Sequence, residues 1–417
     1  MRRLAQFLVG GWMVSIIGWG GGGGYAAVWE VCPSCPVRSI KAAVEQSTPY
    51  DTIRVWNGVY RESRIVIRHP LVLEGIDSPV VDGSDGGGIF WVGADSSVIR
   101  GFVLRHVPTS HIEDWAGIRV IEADHCLVEG NYLEGMFFGI YLQKAHHCTV
   151  RGNRIVGHAK DEFTGGNGIH LWYSDHILVE NNFVRGHRDG IYIEYANYSR
   201  FERNHSEYNI RYGMHFMFSD DDEYHHNTFR RNGAGVAVMF SRRISMTHNT
   251  FEDNWGPGAY GLLLKEIYDA AIENNLFRRN TIGIYGESAV RIVFRRNHLE
   301  HNGKAILFLG SCYDDLFTEN NFLYNTFDLF ANAELRSNRF ERNYWSGYTG
   351  YDLDRDGIGD VPYRPMSLFA YIVSRNPTAI ILLRSIFVDL LNFSEKVMPI
   401  FLPQHLEDPQ PLMQPIS

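Results

Sequence analysis

Gly190-Ile191-Tyr192-Ile193-Glu194 is followed fourteen residues after its glycine by Asn204, and Gly213-Met214-His215-Phe216-Met217 is followed at the same distance by Asn227. In both stretches the first and third residues after the glycine are apolar, the period-two alternation of a strand with one buried face. The same phrase recurs along the chain. Gly117, Gly139, Gly168, Gly235, Gly261 and Gly283 stand in the same relation to Asn131, Asn153, Asn182, Asn249, Asn275 and Asn297, and Asn320 and Asn338 extend the series. Two positions after each asparagine the residue is apolar, with Ser206 the exception. The usual step is about 22 residues, and the longer steps come from insertions near 158–166 and 254–258, both at one corner.

A fixed period with insertions confined to one corner is the mark of stacked units, and strands joined by short polar corners leave no room for a helix in each coil. The expected fold is all-β, a right-handed parallel β-helix with coils of about 22 residues, an N-terminal capping helix and a C-terminal amphipathic helical segment. The asparagines are expected to turn inward at corners and bond the backbone of neighbouring coils. The expected organisation is a secretory signal at 1–27, a cap and first coils at 28–110, repeats at 111–345, an Asp-rich turn at 346–366 and an amphipathic docking segment at 367–417.

Met1-Arg2-Arg3, an apolar run from Leu4 to Ile17 and the small residues around Ala26-Ala27 read as a secretory signal, the run being too short for a membrane span. The net charge of −9 argues against nucleic acid as a partner. In an exported chain Cys32-Pro33-Ser34-Cys35 is a disulfide, a metal clip or a redox pair; Cys126 and Cys148 share one phase in successive coils and read as buried small residues, the alternative being a bridge between the stacked thiols. Val37, Ile40, Ala43 and Val44 lie on one face of the capping helix, expected over Val37 to Gln46.

Residues two and four positions after each glycine face outward. In the central coils they are His170 and Trp172, Tyr192 and Glu194, His215 and Met217, Ala237 and Met239. Thioether and imidazole together suit Cu(I), so His170, His215, Met217 and Met239 are the candidate copper residues; the alternative is an apolar patch that docks a protein, with Trp172 and Tyr192 in it. His125, His147 and His176 form a second outward column, either a metal row or solvated corner residues. Asp352, Asp354, Asp356, Gly357 and Asp360 are spaced like a calcium loop, although Tyr363 stands where the bidentate glutamate belongs; the alternative is a self-bonded turn. The segment 367–401 is interrupted by charges and reads as amphipathic helices for a membrane surface or partner, with Phe369, Ile372, Ile386 and Leu390 as contact residues, or as a cap on the solenoid.

Four stretches carry a resemblance: Ser39-Ile40-Lys41-Ala42-Ala43, Gly168 to Ser174, Arg211 to Met217, and Asn343-Tyr344-Trp345-Ser346-Gly347 with its Asp-rich turn. In them the chain resembles NosD, the periplasmic β-helix protein of nitrous oxide reductase maturation. The resemblance implies no catalysis. It implies work beside an ABC transporter, permease plus ATPase, in assembling the copper and sulfur centres of nitrous oxide reductase, with a copper chaperone and the apo-enzyme as further partners, the C-terminal segment as the transporter-docking element, and membrane association through that complex. The competing class is a β-helix carbohydrate enzyme, a polysaccharide lyase or epimerase, which needs carboxylates gathered in one groove; Asp189, Glu194 and Glu202 are the nearest set, and the register does not bring them together.

Overall fold

The computed structural model describes residues 26–397 and 406–416, apart from 111, 164, 333, 334 and 336; the expected signal at 1–27 therefore lies almost wholly outside them. Among the described residues three parallel sheets of 14, 13 and 12 strands, here sheets I, II and III, wrap one core. One coil runs from Phe138–Gln143 in sheet III to Thr149–Arg151 in sheet I and Arg154–Val156 in sheet II, then returns to sheet III at Asn167–Trp172. In-register neighbours along sheet III are Ile118, Ile140, Ile169, Ile191 and Met214, which makes the sequence alternation a column of buried side chains.

Stacking repeats each side chain on its like. Phe229, Phe251 and Phe277 stack with centroids 5.6 and 4.6 Å apart, and Phe294, Phe317 and Phe340 at 4.4 and 4.7 Å. Deleting one such ring costs about 3–5 kcal/mol in a core of this kind.

The asparagines turn inward as expected. From Asn131 to Asn320 each Nδ2 donates to Oδ1 of the next member at 2.9–3.1 Å, and the backbone N–H beside it donates to the same oxygen. The residue before each asparagine is left-handed even where it is not glycine, as at Arg203 (φ 51) and His226 (φ 55). That strain is of order 1–2 kcal/mol per residue and is offset by the paired amides. The series ends on Asn343 instead of Asn338. Asn338 occupies another column and accepts from the Asp315 N–H at 2.9 Å, because the regular step from Asn320 is 23 residues.

A second ladder stands five residues on: Asn209, Asn232, Asn254, Asn280, Asn302 and Asn325, fully or partly buried and bonded coil to coil. His187 occupies its foot and donates its N–H to Asn209 Oδ1 at 3.0 Å.

The N-terminal cap is helix α1 (Ile40–Gln46), shorter than expected. Glu62 collects Ile40 N–H, Lys41 N–H and the Ser39 hydroxyl, and Ile40, Ala43 and Val44 are buried; Val37 precedes the helix and bridges Val31. Cys32 and Cys35 form a disulfide, Cα–Cα 4.9 Å, which settles the three readings of that motif.

At the other end helix α2 (Leu368–Arg375) lays Phe369 against Phe327, and a 3-10 turn (Pro377–Leu382) leads to helix α3 (Ile386–Val397). Residues 406–416 come back to the solenoid: Leu412 bridges Tyr344 in parallel, and Ile416 exchanges two hydrogen bonds with the Asn321 side chain.

Candidate metal and docking face

The outer surface of sheet III is built by three columns. One is Asn167, Asp189 and Tyr212; the next Tyr141, His170, Tyr192, His215 and Ala237; the third Gln143, Trp172, Glu194, Met217, Met239 and Lys265. Outward direction is as expected, but full exposure is not. His215 is only 5% exposed, enclosed by Tyr192 (5.2 Å) and Tyr212 (4.8 Å). His170 is half-buried, stacked on Tyr141 at 4.4 Å and edge-on to Tyr192 at 4.8 Å. Neighbouring rings in a stacked sheet cover one another, so an outward imidazole between tyrosines loses its water.

Burial pushes both imidazoles down to about 3, helped by the cations Arg188 and Arg119 at His170 and Arg211 and Arg188 at His215. Both rings are neutral at ordinary pH, the form a metal requires. Arg211 donates to His215 Nδ1 at 3.1 Å, which places the ring proton on Nε2, a buried atom with no partner among the described residues. Coordination at Nε2 requires that proton to pass to Nδ1 and Arg211 to withdraw. Arg211 has an alternative partner in Asp189, whose two oxygens it already meets at 3.0 Å each.

Asp189 is fully buried and also takes Arg188 at 3.3 Å. Burial raises its carboxyl and the two guanidinium groups oppose that shift. Reading from sequence missed this Arg188–Asp189–Arg211 cluster; its signal is an Arg-Asp pair immediately before Gly190 and an arginine one coil on. Glu194 accepts from the Tyr192 hydroxyl at 3.3 Å, and Glu202 lies on sheet I beside Arg200 and Arg203. The three carboxylates thus do not share a groove.

Met217 and Met239 are half-buried and directly in register on adjacent coils, one inter-strand spacing of about 4.8 Å apart, with His215 two residues from Met217 on the same strand. His170 does not join them. Tyr192 stands between it and His215, two spacings or about 9.6 Å along the column. Trp172 is likewise separated from Met217 by Glu194 and joins the small apolar group of Ala116, Phe137, Phe138 and Tyr141.

At the adjoining corner Tyr173, Tyr195, Phe218 and Phe240 stack at 4.6, 5.0 and 5.0 Å and border the methionines, Tyr195 half-buried and the other three exposed. Along the opposite edge run the insertions 158–166 and 254–258, tipped by exposed Phe163 and Trp255. Gly166 holds the first one down: a Cβ there would meet the Phe137 carbonyl oxygen at 2.0 Å.

His125, His147 and His176 stack with interplanar angles of 13° and 29°. Ring nitrogens lie in the ring plane, so near-parallel rings aim their lone pairs side by side and do not converge on one ion. Among the described residues the one group of three or more His, Cys, Asp or Glu able to hold an ion is Asp352, Asp354 and Asp356. Asp360 is not in that group but closes the same turn, accepting from Leu353 N–H at 2.7 Å, and the turn bonds itself through Asp352 to Arg355 and Gly357. Tyr363 turns away and donates to Asp328.

Of the residues expected at a partner surface in the C-terminal segment, Ile386 (77% exposed) and Leu390 (61%) are open, together with Ile381, Phe387 and Phe393. Phe369 is buried and Ile372 half-buried, because α2 covers the last coil; Phe369 belongs to the cap and not to a docking surface. Among the described residues no helix is long and apolar enough to cross a membrane.

In architecture the molecule is similar to solved β-helices. The A-module of mannuronan C-5 epimerase AlgE6 from Azotobacter vinelandii matches with TM-score 0.56 and 14% identity over 72% of this chain and 94% of that one. PfbA, a surface adhesin of Streptococcus pneumoniae, matches with TM-score 0.54 and 12% identity over 78% and 94%. At such identities the likeness establishes the class alone, a parallel β-solenoid.

The family follows from sequence. The model of a family described as periplasmic copper-binding protein (NosD) matches residues 158–350. A Pseudomonas aeruginosa protein named as a probable ABC transporter binding protein NosD is 31% identical over 371 residues, 84% of this chain and 85% of its own length. One of the same name from Stutzerimonas stutzeri is 26% identical over 85% of each. The chain belongs to the NosD family.

Proposed function

We propose that this chain is an exported periplasmic accessory protein that works with an ABC transporter in assembling the copper-sulfur centres of nitrous oxide reductase, without catalysis of its own. The observation that carries the proposal is the in-register pair Met217–Met239, bordered by His215 and by a strip of stacked aromatic rings. Two thioethers one coil apart reach a common soft cation, and the neutral imidazole of His215 is a third donor once Arg211 turns wholly to Asp189. The matched family span includes these residues, and its description names copper.

Docking is assigned to two surfaces. The open apolar side of the 3-10 turn and α3, with Ile381, Ile386 and Leu390, meets the transporter permease, with its ATPase beyond, and so brings the protein to the membrane. The names of the relatives support association with an ABC transporter. The face with Trp172, Tyr192 and the methionines meets the copper chaperone or the apo-enzyme. A calcium ion at Asp352, Asp354 and Asp356 is an accessory feature of this reading, close to where the C-terminal tail returns.

The carbohydrate-enzyme alternative has weaker support, since Asp189 is held by two arginines and Glu194 by a tyrosine hydroxyl. Cu(I) titration against a competing chelator tests the metal half. Cu(I) binding that Met217→Leu with Met239→Leu weakens at least tenfold is the expected outcome; undiminished binding in that variant removes the site.

A further inference from the structure

Cys126 and Cys148 lie outside the face just described, in the core at the corner between sheets III and I. They belong to a column in which the backbone N–H of one coil donates to the side chain of the next. Ile177 donates to Ser199 Oγ, Ser199 to Asp222 Oδ1, Ile292 to Asp315 Oδ1 and Asp315 to Asn338 Oδ1. Cys126 does the same, donating its N–H to Cys148 Sγ at 3.3 Å. That contact suspends one sulfur over the backbone of the other cysteine. The register of the adjoining residues, Leu127 on Thr149, sets their Cα atoms one inter-strand spacing apart, about 4.8 Å, inside the 4.4–6.8 Å range of disulfides. Cys126, Cys148 and Cys312 are all free thiols in this structure, Cys126 donating to the Ala94 carbonyl at 3.4 Å and Cys148 to that of Ala123 at 3.5 Å; Cys312 is level with Ala289 in the coil before it and has no cysteine beside it among the described residues.

We propose that Cys126 and Cys148 are a disulfide site, joined in the exported protein as a staple between two successive coils. The thiolate of Cys126 attacks a disulfide-bearing oxidant and releases one thiol; Cys148 then attacks the mixed disulfide and releases the second. Two protein S–H groups and one oxidant disulfide thereby become one protein disulfide and two oxidant thiols, the protons leaving with them. Both side chains are at most 3% exposed, so the exchange takes place while the coils are still closing. The staple closes a single coil, separation 22, next to the coil that carries the 158–166 insertion. Formation in the cell rests on the exported location proposed above; the chemistry of the pair does not.

The test refolds the reduced, denatured chain in mixed oxidised and reduced glutathione, alkylates it under denaturing conditions, and digests it without reduction. A peptide linking Cys126 to Cys148, with Cys312 alkylated, is expected. Alkylation of both cysteines, or a link to Cys312, overturns the proposal. In a Cys32→Ser, Cys35→Ser background, reductant is expected to lower the unfolding midpoint by several degrees, and further replacement by Cys148→Ser, which keeps the acceptor, is expected to remove that response. A midpoint indifferent to reductant contradicts the staple. If the pair links in vitro while protein from its host carries Cys32, Cys35, Cys126 and Cys148 all free, the pair stands and the exported location falls.

Discussion

Asp408 ends the asparagine ladder of Asn343. Its Oδ2 accepts from Asn343 N–H at 2.9 Å, Asn343 Nδ2 at 3.1 Å and Trp345 Nε1 at 3.0 Å, while Oδ1 accepts from Arg342 N–H at 3.1 Å. In every earlier coil the oxygen that receives these two Asn groups belongs to the asparagine of the next coil, so a residue from the returning tail stands in for a coil that is not there. An open solenoid end exposes unpaired strands, and this tail covers them.

Asp408→Ala leaves several buried donors unsatisfied and is expected to destabilise the C-terminal coils by about 3 kcal/mol, and to make the tail a protease target. Asp408→Asn offers one oxygen and turns an NH2 toward other donors, so its loss is intermediate. Thermal unfolding with limited proteolysis measures both; a neutral Asp408→Ala removes the capping role.

His187 and His215 carry a pH signature. Burial holds both near 3, with an unperturbed value of 6.5. Between those limits the unfolded chain binds protons that the folded chain refuses, so stability falls as pH drops below 6.5, by about 2 kcal/mol per histidine at pH 5. Burial raises Asp315 and Asp328 to about 7, and they act in the opposite sense, gaining stability as pH falls below 7. The measurement is therefore a difference. His187→Asn, which extends the second ladder onto Asn209, is expected to match the parent at pH 7 and exceed it by about 2 kcal/mol at pH 5 in denaturant titrations.

The methionine pair separates metal binding from folding. Met217→Leu with Met239→Leu conserves volume on a half-buried surface and is expected to shift stability by under about 1.5 kcal/mol. Cu(I) affinity is expected to fall at least tenfold, about 1.4 kcal/mol. His215→Ala is a poorer probe, because it strips a buried partner from Arg211. Equal Cu(I) affinity in the double leucine variant assigns this face to protein docking alone.

The central coils are legible because from Gly117 to Asn297 each repeats one glycine, two inward residues and one asparagine, and a buried amide needs the same residue in every coil. The second ladder is equally periodic, with an asparagine five residues after each rung from Asn204 to Asn320. Asn338 was mistaken for a rung because its spacing of 18 follows local sequence, whereas the true rung Asn343 keeps the coil length. Alternation tells direction and not cover: His215 points outward, but Tyr192 and Tyr212 come from 23 residues away and from the same strand to enclose it. The tail contacts, Asn343 with Asp408 and Asn321 with Ile416, span separations of 65 and 95 residues and leave no local trace. Phe369 accordingly looked like part of a docking helix and is part of the cap.

The central claim is that the protein serves a membrane transporter, and removing 367–417 wholesale would also remove Asp408 and Phe369 from the cap. The direct measurement is affinity purification from detergent-solubilised membranes of the native host, comparing the intact chain with Ile386→Asp, Leu390→Asp. Recovery of an ABC permease and its ATPase with the intact chain, and their loss from a variant whose unfolding midpoint is unchanged, is the predicted result. Recovery of neither subunit with the intact chain, or equal recovery with the variant, contradicts the account of how this solenoid is used.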